Sequence, residues 1–279
     1  MKWYEKYLSV YGKPYADVPA EVMDGIRNRL RTLQSDEPLV SVVVIAYNEE
    51  KHLPACLWSL SESVCEYPME IIGVNNDSAD RTADVFEASG IPYHTELQHS
   101  CGYARRCGLQ YAQGKYYIDS DTMYPPGYVQ AMADALQRPG IVAVSSLWSY
   151  MPDEGHPWLG LKIYEFMRDT HLWMQSFKRP ELSVRGLVFA YNADYGRKVG
   201  YRVDIIRGED GSMALGLKQY GRIGFVRSRK ARAVTGYGTV GADGSFLNSF
   251  RVRIVKYLKG MGSYFTKKDR YRDDESNLV

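Results

Sequence analysis

The feature that most constrains this chain is the run Leu39-Val40-Ser41-Val42-Val43-Val44-Ile45-Ala46, apolar at every position but one and rich in β-branched side chains. A run without polar alternation describes a strand covered on both faces, as in a parallel sheet flanked by helices. It stops at Tyr47-Asn48-Glu49-Glu50, and Leu53, Leu57 and Leu60 then recur at helical spacing. A second buried run, Glu70-Ile71-Ile72-Gly73-Val74, ends in Asn75-Asn76-Asp77-Ser78. Asp80-Arg81-Thr82 opens a helix that carries Val85 and Phe86 to a stop at Gly90-Ile91-Pro92. A short strand near Tyr93, a loop and helix over residues 102–109, and a third buried run through Tyr116, Tyr117 and Ile118 complete the alternation. This order predicts an α/β fold: a right-handed, Rossmann-like, mostly parallel sheet with helices on both faces and a ligand site beyond the carboxyl ends of its strands. Three polar clusters should therefore converge, Tyr47-Asn48-Glu49, Asn75-Asn76-Asp77 and Asp119-Ser120-Asp121.

The third cluster has the most specific chemistry. Side chains alternate along a strand, so Asp119 and Asp121 can lie on one side of the backbone as it leaves the sheet, offering hard oxygen ligands to Mg²⁺ or Mn²⁺. Taken alone, two aspartates at a strand end are equally well turn formers. The 279 residues and net charge of +2 suit one large α/β domain and fall short of a general nucleic-acid binder, so no nucleic-acid partner is expected. Residues 1–38 read as an N-terminal helical arm, with a helix opened by Pro19 and faced by Val22, Ile26, Leu30 and Leu33. Residues 39–235 read as the main domain, divided into a first half (39–122) and a second half (123–235), and residues 236–279 as a basic C-terminal extension.

Within the second half a helix is expected over residues 128–136, a strand over 141–145, and then an aromatic-rich region in which Trp148, Trp158, Tyr164 and Trp173 read individually as packing residues. In the extension, Phe250, Val252, Ile254, Val255, Tyr257 and Leu258 are interleaved with Arg251, Arg253, Lys256 and Lys259 at near-helical spacing. That segment reads either as a peripheral membrane contact or as a solvated basic face on a packing helix. Cys56, Cys65, Cys101 and Cys107 lack metal-ligand spacing and read as reduced structural residues. With no apolar signal segment at residues 1–6, a cytoplasmic setting is the expectation, extended to the inner membrane face if the basic segment binds lipid.

Together these segments resemble glycosyltransferase family 2, the inverting enzymes of GT-A fold that use nucleotide-sugar donors. The resemblance runs over roughly residues 40–225: the first strand with its Tyr-Asn-Glu turn, the Asn75 to Thr82 segment, Ala104-Arg105-Arg106-Cys107-Gly108 leading to the Asp-x-Asp strand, and Gly208-Glu209-Asp210 before a helix-like stretch. It implies that residues 39–122 form a nucleotide-binding half and 123–235 an acceptor half, with donor contacts from Ala46, Tyr47, Asn48, Glu49, Asn75, Asn76, Arg105, Asp119 and Ser120. It also implies a Mn²⁺ or Mg²⁺ ion on Asp121, with Asp119 on ribose or metal, and a general base at Asp210 with Glu209 second. The implied partners are a nucleoside diphosphate sugar, with UDP-sugar as the expectation, and a glycan or lipid-linked acceptor hydroxyl.

Three departures bear on this. The family's usual Asp against uracil is replaced by Asn75 and Asn76, whose amides offer both donor and acceptor. Arg106 replaces an Asn, and no late His completes a metal shell, a place that water or donor phosphate could take. Competing readings are a dehalogenase-type phosphatase, which needs Thr or Val where Met123 stands, and a nucleotide-sugar binder without turnover. Glu209-Asp210 could also be only the acidic start of a helix.

Overall fold

The computed structural model describes residues 2–152, 158–205 and 208–236, without the side chains of Asp119 and Ser120. The basic segment around Phe250 to Lys259 lies outside the described residues. The chain opens with two short 3-10 turns and helix α1 (Ala20–Leu33), then alternates strands β1 (Val40–Ala46), β2 (Met69–Asn75), β3 (Tyr93–Thr95) and β4 (Tyr116–Ser120) with helices α2 (Leu53–Ser61), α3 (Thr82–Ser89) and α4 (Cys101–Tyr111). Helix α5 (Tyr128–Leu136), β5 (Ile141–Ser146), β6 (Trp148–Tyr150) and the 21-residue α6 (Trp158–Lys178) follow. The described chain finishes with β7 (Phe189–Asn192), α7 (Ala193–Val199), α8 (Glu209–Leu217), β8 (Arg222–Val226) and β9 (Ala233–Thr235).

Seven strands form one sheet in the order β3-β2-β1-β4-β7-β5-β8. All pairings are parallel except those of β7, which runs antiparallel between β4 and β5. The sheet is thus mostly parallel, as the buried runs require, and β7 marks the return from the second half. The uninterrupted apolar run of β1 is explained by its two covered faces. Val40, Val42 and Val44 pack with α1, α2 and α5 side chains such as Ile26, Leu57 and Met132, while Val43 packs with Ala104 of α4 and Met213 of α8.

The N-terminal arm shares the first of these cores, through Tyr7, Val10, Met23, Ile26 and Leu30. Its end is tied to the sheet by Gln34, which donates to the Ile71 carbonyl at 2.9 Å and accepts from the Ile71 N–H at 3.0 Å. One expectation changes at residues 102–109, where helix replaces the expected loop entry. Ser100 accepts from the Tyr103 N–H at 3.1 Å and starts α4 at once. Glycine then serves close approach inside that helix, since a Cβ at Gly108 would overlap Val43 and one at Gly102 the Arg202 carbonyl.

The aromatic region divides. Trp148 and Tyr164 are buried packing residues, whereas Trp158 and Trp173 of α6 are exposed. Among the described residues no helix is long and apolar enough to cross a membrane.

Candidate active site

Three strand ends and two later segments meet at one edge of the sheet. In parallel register Ala46 stands beside Asn75 and Val44 beside Ser120, so the turns after β1, β2 and β4 leave the sheet together. The first two turns are laced to each other. The Asn48 N–H donates to Ser78 Oγ at 2.9 Å, the Ala79 N–H to Asn48 Oδ1 at 2.8 Å, and the Glu49 N–H to Thr82 Oγ1 at 2.8 Å. Asn48 and Asp77 both adopt positive φ, at 55° and 54°, a conformation that Asn and Asp tolerate better than other side-chain-bearing residues.

Asn75 and Asn76 are buried and employed in this lacing. Asn75 Oδ1 accepts from the Ser78 N–H, and the Asn76 amide donates to the carbonyls of Glu96 and Gln98, both at 2.8 Å. The accessible side chains at this rim are Tyr47, 53% exposed, with His99 at 5.2 Å between ring centroids, and Asp77, whose Oδ2 lies 3.4 Å from His99 Nε2. Asp77 belongs to the second polar cluster, whereas His99 escaped the sequence reading because its approach to Asp77 depends on the β3–α4 connection folding back over the end of β2.

The second group is built on a cation. Arg105, buried in α4, places Nη1 2.6 Å from Glu209 Oε1 and Nε 3.2 Å from Asp210 Oδ1. Both carboxylates stand in the first turn of α8, where the helix dipole favours them. The Gly186 N–H donates to Asp210 Oδ2 at 2.7 Å, leaving Oδ1 without a hydrogen bond among the described residues. Burial raises the Glu209 carboxyl above its usual range, and neighbouring Asp210 adds to this against the opposing pull of Arg105.

Asp121 completes the cluster. Its backbone N–H donates to Tyr124 Oη at 3.0 Å, and that hydroxyl in turn donates to the Leu187 carbonyl at 2.7 Å. Tyr124 thereby fixes where the chain turns after β4. Asp121 keeps solvent access although protein surrounds it closely. That crowding pushes its carboxyl from 3.8 up to about 6, with Asp210 and Glu49 adding to the rise and Arg105 opposing it. Cys101 is a further neighbour of this group, and burial lifts its thiol. Tyr124 and Gly186 were invisible to pattern reading, since a tyrosine after a turn and a glycine before a strand carry no chemical signature.

The structure therefore brings Asp121, Arg105, Glu209 and Asp210 into one site, with Tyr47, Asn48 and Glu49 at the adjoining rim. Residues 41–196 match the description "Glycosyl transferase family 2", more than half of the chain. The chain belongs to glycosyltransferase family 2. Among relatives, the glycosyltransferase-named EpsH of Bacillus subtilis (strain 168) is 34% identical over 105 residues, which cover 35% of this chain and 30% of EpsH. This chain thus matches less than a third of that relative's length.

Among solved structures, the mannosyltransferase PcManGT of Pyrobaculum calidifontis, in complex with GDP-Man and Mn²⁺, aligns with a TM-score of 0.56 at 17% identity over 89% of this chain and 73% of its own. The glucosyl-3-phosphoglycerate synthase of Mycobacterium tuberculosis, in complex with Mn²⁺, UDP-glucose and phosphoglyceric acid, gives 0.52 at 18% identity over 88% and 85%. At such identities these structures establish the GT-A fold. The phosphatase reading falls with the family membership.

Proposed function

We propose that this protein is an inverting glycosyltransferase that moves a sugar from a nucleoside diphosphate donor to an acceptor hydroxyl. The observation that carries the reading is the joint placement of Asp121 and the Arg105-clamped Glu209-Asp210 pair beyond the strand ends. That site has an accessible acid on the donor side and, on the acceptor side, an acid whose Oδ1 is ion-paired with Arg105 but takes no hydrogen bond among the described residues. The complexes of the two structural neighbours with GDP-Man and UDP-glucose support the donor class.

The donor set fits a divalent cation. Asp121 is held near Asp210 and Glu49, and their mutual repulsion leaves this corner short of positive charge, with Arg105 already engaged by Glu209 and Asp210. Among the described residues no three acidic, His or Cys side chains are arranged as a ready-made cage, so donor phosphate and water would complete the shell. Asp121, with Asp119 two residues earlier in the chain, would hold Mn²⁺ or Mg²⁺, which when bound supplies charge neutralisation for the departing diphosphate.

The chain's own residues supply the rest. Asp210 accepts the acceptor's proton at Oδ1 as its hydroxyl oxygen attacks the anomeric carbon and the bond to the diphosphate breaks. Gly186 and Arg105 hold that carboxylate still, and Glu209 keeps Arg105 in place. Tyr47 offers its ring face to the base, with His99 and Asp77 as the polar readers at its edge. The burden of base reading falls on them because the donors of the Asn76 amide are already spent on Glu96 and Gln98. A glycan or a lipid-linked alcohol is the proposed acceptor.

The test is thermal stability with UDP or GDP, each with and without Mn²⁺, beside transfer from the matching nucleotide sugar. A bound ligand raises the melting temperature by mass action. The expected outcome is a rise that needs nucleotide and Mn²⁺ together and disappears in Asp121→Asn. A rise of equal size in that variant would refute the metal assignment, and donor binding with no turnover in the presence of acceptor would leave a silent binder.

A further inference from the structure

Seven of the twelve large apolar side chains exposed among the described residues belong to α6: Trp158, Leu159, Ile163, Phe166, Trp173, Met174 and Phe177. Leu159, Ile163, Phe166, Trp173 and Phe177 follow three- and four-residue steps interrupted only at Thr170, so they form one stripe. At about 1.5 Å per residue the stripe is about 27 Å long, and Phe166 and Phe177 are 72% and 69% exposed. The opposite face of the helix is fully used, with Leu161, Tyr164, Arg168, Leu172 and Gln175 buried against the domain. An apolar row of this length on an otherwise polar surface marks a place where another phase or molecule is met.

The charges around the stripe indicate which. Neither carboxylate of α6 is presented outward: Glu165 is buried against Ser149, Tyr150 and Lys162, and Asp169 is paired with Arg168 and Arg232. Among the described residues of this face the charged groups that remain exposed are cationic. Lys162 and Lys178 lie on the helix, and the exposed Arg227 guanidinium stands 5.5 Å from the Trp173 ring centroid. A protein partner helix would be served by apolar contact alone, whereas a row of Trp and Phe bordered by cations and, among the described residues, by no exposed acid of its own helix matches an anionic lipid surface. Aromatic rings settle at the headgroup boundary and basic groups pair with phosphate there.

We propose that α6 is a membrane-docking face that seats this protein on anionic phospholipid, with Phe166, Trp173 and Phe177 entering the headgroup region and Lys178 and Arg227 contacting lipid phosphate. The face needs no turnover to act, so its test is independent of the transfer reaction. Full-length protein is floated with vesicles of phosphatidylcholine alone and of phosphatidylcholine with phosphatidylglycerol. Native protein is expected to float with the anionic vesicles, less so at high salt, and brominated lipid is expected to quench its tryptophan fluorescence.

Phe166→Ser with Phe177→Ser should reduce partition roughly tenfold or more, since two exposed rings lose their apolar burial. Because both side chains are already in solvent, the melting temperature should not change. Leu97→Ser, removing an equally exposed residue elsewhere, should float as native. The proposal is overturned if the double variant floats as native while Phe250→Ser with Ile254→Ser does not, which moves the contact to the C-terminal extension. It is equally overturned if native protein ignores both vesicle types, or if the double variant only converts a dimer to a monomer in light scattering.

Discussion

Arg105 determines how the two acids of α8 can behave. It lies within 2.6 Å of Glu209 Oε1 and 3.2 Å of Asp210 Oδ1, so a single guanidinium balances two buried carboxylates. Glu209 makes the shorter contact, which suits an anchor for the arginine, and Arg105 opposes the rise that burial imposes on its carboxyl. Asp210 is held by one N–H on Oδ2, while its buried Oδ1 faces Arg105 Nε at 3.2 Å and takes no hydrogen bond among the described residues, which leaves that oxygen able to accept a proton. Replacing Asp210 with Asn keeps the shape and removes most of the proton affinity. Transfer is expected to fall by about 10²- to 10⁴-fold while donor affinity stays within a few-fold of native. Titration calorimetry beside a transfer assay checks both halves, and unchanged turnover would move the base to Glu209.

A second residue-scale expectation concerns Asp77, whose carboxylate faces His99 at the rim. Asp77→Asn should alter the preference between UDP and GDP in a competition assay without abolishing Mn²⁺-dependent binding. An unchanged preference would take base reading away from this pair.

At the scale of elements, the first half of the fold was legible because its strands announce themselves. The β1, β2 and β4 runs are buried on both faces, and each is followed by a polar turn and a helix opening, so their order and the convergence of their ends could be read directly. The Arg105 clamp was not legible, since it joins positions 104 residues apart through the insertion of β7 between β4 and β5. Arg105 and the Glu209-Asp210 pair could be named from family resemblance, but nothing local says that they touch. The short turn at Gly186–Val188 is the same kind of feature, silent in sequence and decisive in place. A Cβ at Gly186 would overlap Arg105 Nη2 and come within 2.8 Å of Asp210 Oδ2. Gly186→Ala should therefore displace the clamp and lower the rate of transfer at least tenfold. Nucleotide binding at the far rim, read by thermal shift, should persist. Native turnover in this variant would show that the clamp tolerates movement.

Across the whole molecule, the active edge and α6 are joined through the packing of α6, the turn at Pro180–Ser183 and α8, and one buried histidine makes that packing sensitive to acid. His171, on the inner face of α6, is only 5% exposed, and burial, reinforced by Arg185, lowers its pKa from 6.5 to about 4. A histidine whose folded pKa is depressed stays neutral in the native state while the unfolded chain takes up a proton. Its contribution is complete above pH 6.5 and is lost as pH falls toward 4, with a full span of about 3 kcal/mol. Asp121 acts in the opposite sense. Its raised pKa makes the native state hold a proton more tightly than the unfolded chain, so its contribution is present below pH 4 and is lost as pH rises through about 6.

The two slopes oppose each other between about pH 4 and 6, which makes the loss of either one visible. Urea unfolding of native protein and of the His171→Gln variant at about pH 7.5, 6.5, 5.5 and 4.5 separates them. The readout is the slope of stability against pH, which is independent of any offset that the substitution introduces at neutral pH. On acidification over this range the native protein should lose about 1 to 3 kcal/mol more than the variant. Parallel curves for the two proteins would mean that His171 titrates alike in the folded and unfolded chains, and that the interior of α6 is open to protons.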